Sequence, residues 1–112
     1  MPTVGFWSDK LRPQDLVDPS WKGPERKVVL AFIKAGHSVH YYKGWADCRI
    51  CGEKLGSCDL QLPLGWVCPD MFDHYLIAHR VKPPRNLIKA AIRWSHLSPA
   101  QKAKLREEAY DE

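Results

Sequence analysis

Two cysteines and two histidines, each pair closely spaced, constrain this chain more than any other feature. Cys48 and Cys51 enclose two residues, and Gly52 follows directly. A turn of that length aims two thiols at one point. A glycine behind it allows a tight backbone whose amides turn towards sulfur. His74 and His79 come 22 residues later, with four residues between them. That gap lies within the H-x₃₋₅-H spacing of structural zinc sites, where Zn²⁺ takes four thiolate or imidazole donors. The expectation is therefore one structural Zn²⁺ held by Cys48, Cys51, His74 and His79. Steps of 100° along an ideal helix leave the two imidazoles about 140° apart, so the helix must tighten or end near His79. Val81-Lys82-Pro83-Pro84 supplies such an ending.

Other readings of the same residues remain open at this level. In the second choice of ligand set, Cys68 replaces one histidine. Cys48 and Cys51 could also be ordinary reduced cysteines or a redox pair. A redox pair of this spacing normally follows a strand and opens a helix, whereas CRICGEKLGS reads as a turn with another turn behind it. Cys58 and Cys68 read as small buried hydrophobes on paired strands, with a disulfide or a supporting role at the site as alternatives. Asp47, Asp59 and Asp73 are candidates to orient histidine N–H groups, and Tyr75 to pack or hydrogen-bond beside His74. His37, His40 and His96 read as ordinary surface or core side chains.

The pattern C-x₂-C-x₂₂-H-x₄-H resembles the broad class of small Cys₂His₂ zinc-binding domains, and CRICGEKLG is similar to the zinc knuckle of treble-clef modules. The resemblance spans roughly Tyr42 to Lys82. It implies a fold held by metal. The nucleic-acid-reading finger has a central spacing of about 12 residues. The 22 residues here leave room for a hairpin and point away from base reading by a helix.

Around this centre the chain reads as a small α+β domain, with a short antiparallel hairpin or small sheet and three to four helices. Residues 1–23, punctuated by Pro2, Pro13, Pro19 and Gly23, form an irregular arm with Trp7 and Trp21 as docking residues. Residues 24–97 form the zinc-binding core, and 98–112 a C-terminal helix and short tail. Pro24 opens a helix with Val28, Val29, Phe32 and Ile33 on one side and Gly36 as its terminator. SVHYY, CDLQL and GWVC read as short strands, the last two joined by the turn LPLG. Asp70 caps a helix reaching His79, with Asp73 at its third position. Residues 85–94 form an amphipathic helix. Ser98, Pro99 and Gln101 form a capping box for a final helix whose apolar side, Leu105, Ala109 and Tyr110, is thin.

The distribution of charge is more informative than its sum. Net charge is +4, yet no Asp or Glu lies between His74 and Arg106. That span carries Arg80, Lys82, Arg85, Lys89, Arg93, Lys102, Lys104 and Arg106. Arg85, Lys89 and Arg93 recur every four residues and make one stripe suited to an anionic partner. Such a partner is another protein with an acidic surface or, alternatively, nucleic acid, with Trp66 or Trp94 as stacking residues. No segment approaches the ~20 apolar residues that span a bilayer, and the N-terminus has no signal-like apolar stretch, so a cytoplasmic protein without membrane contact is expected. HExxH, the zinc-deaminase signature, phosphate loops and the GxSxG elbow are all absent from the sequence. A non-catalytic module for protein interaction or regulation, built on structural zinc, is the leading expectation. A small zinc-dependent hydrolase using one histidine as base is the enzymatic alternative.

Overall fold

The computed structural model describes residues 2–41 and 44–110, with side chains through residue 106. Helix α1 (Pro24–Lys34) starts on proline, whose missing N–H is harmless in a first turn, and buries Val29, Phe32 and Ile33. The strands are β1 (His37–Val39), β2 (Ala46–Asp47), β3 (Lys54–Gly56), β4 (Asp59–Gln61) and β5 (Val67–Pro69). Helices α2 (Phe72–Ala78), α3 (Arg85–Ser95) and α4 (Pro99–Tyr110) follow. The strands form two antiparallel sheets, one ordered β1-β4-β5 and one a β2-β3 ribbon. This is the small α+β architecture expected from the sequence, with four α-helices among the described residues.

The strand expected over SVHYY begins instead at His37 and stops after Val39, because His40 turns to φ 48°. Tyr42 of that stretch lies outside the described residues. In the three-stranded sheet, His37 pairs with Gln61, and Leu60 pairs with Cys68. The LPLG turn is a 3-10 turn over Pro63–Gly65, with Leu64 at φ 64°. Gly36 stands directly after Ala35, the residue that caps α1, as expected of a terminator, and its N–H donates to the Ile33 carbonyl at 3.0 Å, although its φ is not positive. A Cβ there would stand 2.7 Å from Leu62 Cδ2, 3.1 Å from the Ile33 carbonyl and 3.2 Å from the Gln61 carbonyl. Glycine is needed because the end of α1 runs hard against the end of β4.

Asp70 also departs from expectation. The residue preceding α2 is Met71, and it makes no side-chain cap. Asp70 instead accepts hydrogen bonds from the Ser57 N–H (3.3 Å to each oxygen) and the Cys58 thiol (3.2 Å). Its carboxylate thus stabilises the β3–β4 connection. The capping box of α4 is complete: Gln101 N–H donates to Ser98 Oγ (3.1 Å), and Ser98 N–H donates to Gln101 Oε1 (2.9 Å). Leu105 is half-buried on this helix, and the side chains of Ala109 and Tyr110 lie outside the described residues.

The main core joins Val29, Phe32 and Ile33 of α1, Leu87, Ile88 and Ala91 of α3, Phe72 and Leu76 of α2, and Trp66 and Cys68 from the sheet region. The N-terminal residues run along β5. Val4 N–H donates to the Val67 carbonyl and Val67 N–H to the Pro2 carbonyl, both at 3.0 Å. Trp21 is buried in the main core, and its indole N–H donates to Glu25 Oε1 at 3.0 Å. A 3-10 turn over Pro13–Leu16 gives this segment local structure. Among the described residues, no helix is long and apolar enough to cross a membrane.

Gly36→Ala should destabilise the domain by about 1–3 kcal/mol, the usual range for forcing atoms into a packed core. Urea unfolding checks this: the midpoint should fall with its slope unchanged. A midpoint equal to that of the native protein would contradict the packing argument.

Candidate metal centre

The β2-β3 ribbon carries the cysteines on the turn that joins its strands. Cys48 N–H donates to the Glu53 carbonyl (2.8 Å) and Gly52 N–H to the Cys48 carbonyl (2.8 Å). Closing so tight a loop places Gly52 at φ 77°, a left-handed conformation that glycine adopts without a steric penalty. The Ile50 N–H points at Cys48 Sγ, 3.4 Å away. Cys48 is buried, whereas Cys51 is exposed at the rim of the turn.

The histidines come from α2 and its end. His74 sits in the first turn, where its N–H donates to the Met71 carbonyl at 3.0 Å. His79 lies just beyond the last helical residue, Ala78, at φ −115° and ψ 0°. Arg80 then turns to φ 55°. The helix thus ends before His79, and the divergence of an unbroken helix does not arise. Two bonds fix this ending: Val81 N–H donates to the Tyr75 carbonyl (3.0 Å), and Arg26 of α1 donates from Nη2 to the Leu76 carbonyl (3.1 Å). The two imidazoles meet edge to face, with centroids 4.9 Å apart.

One donor atom from each of Cys48, Cys51, His74 and His79 lies within 4.8 Å of all the others. Cys51 Sγ and His74 Nε2 are 3.5 Å apart. A tetrahedral ion with bonds of ~2.0–2.3 Å would separate its ligands by roughly 3.3–3.8 Å, so small side-chain movements would complete such a geometry. His79 Nε2 is buried and has no hydrogen-bond partner. Leaving a buried polar atom unpaired typically costs about 1–3 kcal/mol, a cost that coordination to a metal would remove. The S₂N₂ donor set and this unpartnered nitrogen both fit a borderline-soft divalent ion.

Tyr75 braces the site from below. It is buried, and its hydroxyl accepts the Arg49 N–H at 2.9 Å, tying α2 to the cysteine turn. Burial pushes its phenol pKa up; the Arg49 N–H opposes this, while the neighbouring Cys48 adds to it. Of the other expected supporting residues, Asp47 is exposed on β2 and Asp73 half-buried in the first turn of α2. Asp59 is buried on β4, and its Oδ2 lies 3.6 Å from His40 Nδ1. Cys68 is buried in the main core, where burial, and then the charges of Asp73, Asp59 and Asp70, push its thiol up to about 12. Cys58 donates its thiol to Asp70, and burial raises its pKa as well. All four cysteines are free thiols.

Two supporting contacts had no local signal in the sequence. Trp7 packs edge-on against Tyr75, with centroids 5.3 Å apart. Gln14 donates from Nε2 to the Arg49 carbonyl at 2.9 Å. Both reach the site from the N-terminal segment, far away along the chain.

The basic residues distribute unevenly. Arg85, Lys89 and Arg93 lie exposed on the side of α3 opposite Leu87, Ile88 and Ala91. Arg80 and Lys104 are exposed, and Lys82 is half-buried with its backbone N–H bonded to the Leu16 carbonyl at 2.9 Å. Lys102 Nζ sits 4.4 Å above the ring of Trp94. Trp94 is half-buried against Phe32, and Trp66 is only 6% exposed. The expected stacking role therefore fails for Trp66, whose faces are taken by the core. In comparisons with family models, curated proteins and solved structures, the chain matches none.

Tyr75→Phe should cost about 0.5–1.5 kcal/mol, the net worth of a typical hydrogen bond, and should speed amide exchange at Arg49. Unchanged exchange there would contradict the bracing role. Cys68 adds an alkaline dependence. Its folded-state pKa lies above its ordinary value of 9.0, so above pH 9 the unfolded chain releases a proton that the folded chain keeps. The stability present below pH 9 should then be lost towards pH 12, at up to about 1.4 kcal/mol per pH unit. Cys68→Ala should show a shallower alkaline loss in urea titrations; an identical slope would refute the assignment.

Proposed function

We propose that this chain is a non-catalytic binding module whose fold is fastened by one structural Zn²⁺ on Cys48, Cys51, His74 and His79. The convergence of one donor atom from each residue within 4.8 Å carries this reading. The Ile50 N–H aimed at Cys48 Sγ and the left-handed Gly52 support a zinc-knuckle role for the CRICG turn. The N–H group stabilises negative charge on the thiolate, and the glycine lets the backbone close around it. Bound there, Zn²⁺ would cross-link the β2-β3 ribbon to both ends of α2. Such a cross-link supplies folding free energy, because the unfolded chain has no preformed site.

Four protein donors argue for a structural role and against the hydrolase reading. A catalytic zinc usually has three protein ligands and keeps one position for water. A histidine acting as base would have to stand outside the coordination shell, yet His74 Nε2 faces Cys51 Sγ and His79 Nε2 is buried. What remains for function is the surface that the fastened fold presents.

Native mass spectrometry should find one zinc per chain. Cys51→Ser should weaken zinc binding by more than about 100-fold, beyond the usual effect of altering an outer-shell partner. The same variant should unfold at lower temperature, as should the native protein after chelation. A Cys51→Ser protein that retains full zinc content would show that the ligand set is wrong.

A further inference from the structure

Two contacts fix how α1 and α3 lie together. Near their starts, Arg85 Nη1 is 3.8 Å from Glu25 Oε2. Near their ends, the Phe32 and Trp94 rings meet edge to face with centroids 5.7 Å apart. The helices therefore run side by side in the same direction, with their apolar sides in one core. On α1, Lys27 and Lys34 lie roughly 200° around the axis from Glu25 and Phe32, so they point away from α3. Lys27, Ala31 and Lys34 are exposed on α1, and Arg85, Asn86, Lys89 and Arg93 on α3.

The exposed side of α3 is positively charged. Arg85, Lys89 and Arg93 rise ~6 Å per step along the axis. Glu25 is the only acidic residue in either helix, and it already accepts the Trp21 indole N–H and faces Arg85.

The chemistry of this face selects its partner. Protein interfaces centre on aromatic or apolar anchors. Among the described residues, the large exposed hydrophobic ones are Phe6, Leu11, Val17, Tyr41, Trp45 and Ile77, and none is on α1 or α3. Single-stranded nucleic acid is held by open aromatic platforms. Here Trp94 is packed against Phe32 and covered by Lys102. Evenly spaced cations without anchors or platforms suit the phosphates of a duplex. Alternate phosphates on one DNA strand lie ~6.8 Å apart along the axis, close to the ~6 Å step on α3.

We propose that the exposed Arg85, Lys89 and Arg93 side of α3 binds the phosphate backbone of double-stranded DNA without reading its sequence. The proposal rests on the binding-module reading and names its partner. It uses none of the four candidate zinc ligands.

The test is fluorescence anisotropy of the full zinc-loaded chain with a mixed-sequence 20-base-pair DNA duplex across 50–200 mM salt. Three phosphate contacts predict a slope of log K against log salt of about −2.7, and so a loss of affinity of roughly 40-fold over that range. Lys89→Glu/Arg93→Glu should weaken binding at least ~10-fold and make the slope shallower by about 2, whereas Lys54→Glu on β3 should change neither. Circular dichroism establishes that each variant is folded. Absence of binding at 50 mM salt, an unchanged affinity in the double variant, or tighter binding to single-stranded DNA, duplex RNA or polyglutamate would overturn the proposal. Zinc content measured on the same samples separates the two readings. One zinc per chain without DNA binding would sink the DNA proposal alone, and DNA binding by a zinc-free, folded chain would sink the zinc reading alone.

Discussion

The meeting of the cysteine turn with α2 is the constraint on which this end of the molecule depends. The β2-β3 ribbon has little apolar surface of its own: Ala46, Asp47 and Lys54 are exposed, and Leu55 is only half-buried. A two-stranded ribbon of this size is marginal by itself. Polar bonds hold it to the rest of the fold, namely the Arg49 N–H to the Tyr75 hydroxyl and the Gln14 side chain to the Arg49 carbonyl, and they bring Cys48 and Cys51 near His74 and His79. The small cluster of Cys48, Met71, Tyr75 and Val81 seals the join from within.

The rest of the fold is arranged to make that meeting reproducible. Helix α2 is only seven residues long, too short to hold its shape without outside support. Its last carbonyls are met by Arg26 from α1 and by the Val81 backbone, so the main core sets where the helix ends and hence where His79 points. The N-terminal segment adds Trp7 against Tyr75 and Gln14 against Arg49. The two clusters of buried residues are thereby coupled, and α1 and α3 share the larger one.

Much of the secondary structure was legible because it rests on local chemistry. Pro24 opening α1, the Ser98–Gln101 capping box and the strand pair around LPLG depend on neighbours a few residues apart. The misreadings share one cause. Asp70 has the chemistry of a helix cap, but the β3–β4 connection, more than ten residues upstream, offers it a backbone N–H and a thiol. Trp66 is a candidate stacking residue by its type, but the main core surrounds it. For Asp70 and Trp66 a long-range contact decides the role. Gly36 follows the end of α1 as expected, and Leu62 and Gln61 add a long-range reason for its missing side chain.

By itself, the sequence determined the kinds of donor available, their pairing along the chain and the periodic basic stripe of α3, because spacing and residue type are local properties. Only the tertiary structure decided that the two donor pairs meet, since the 22 residues between them follow a path through two sheets. It also decided that α2 stops before His79, through contacts from α1 and from the chain beyond the helix. CRICG set two thiols close together in advance, but packing supplied the geometry that brings them to His74 and His79.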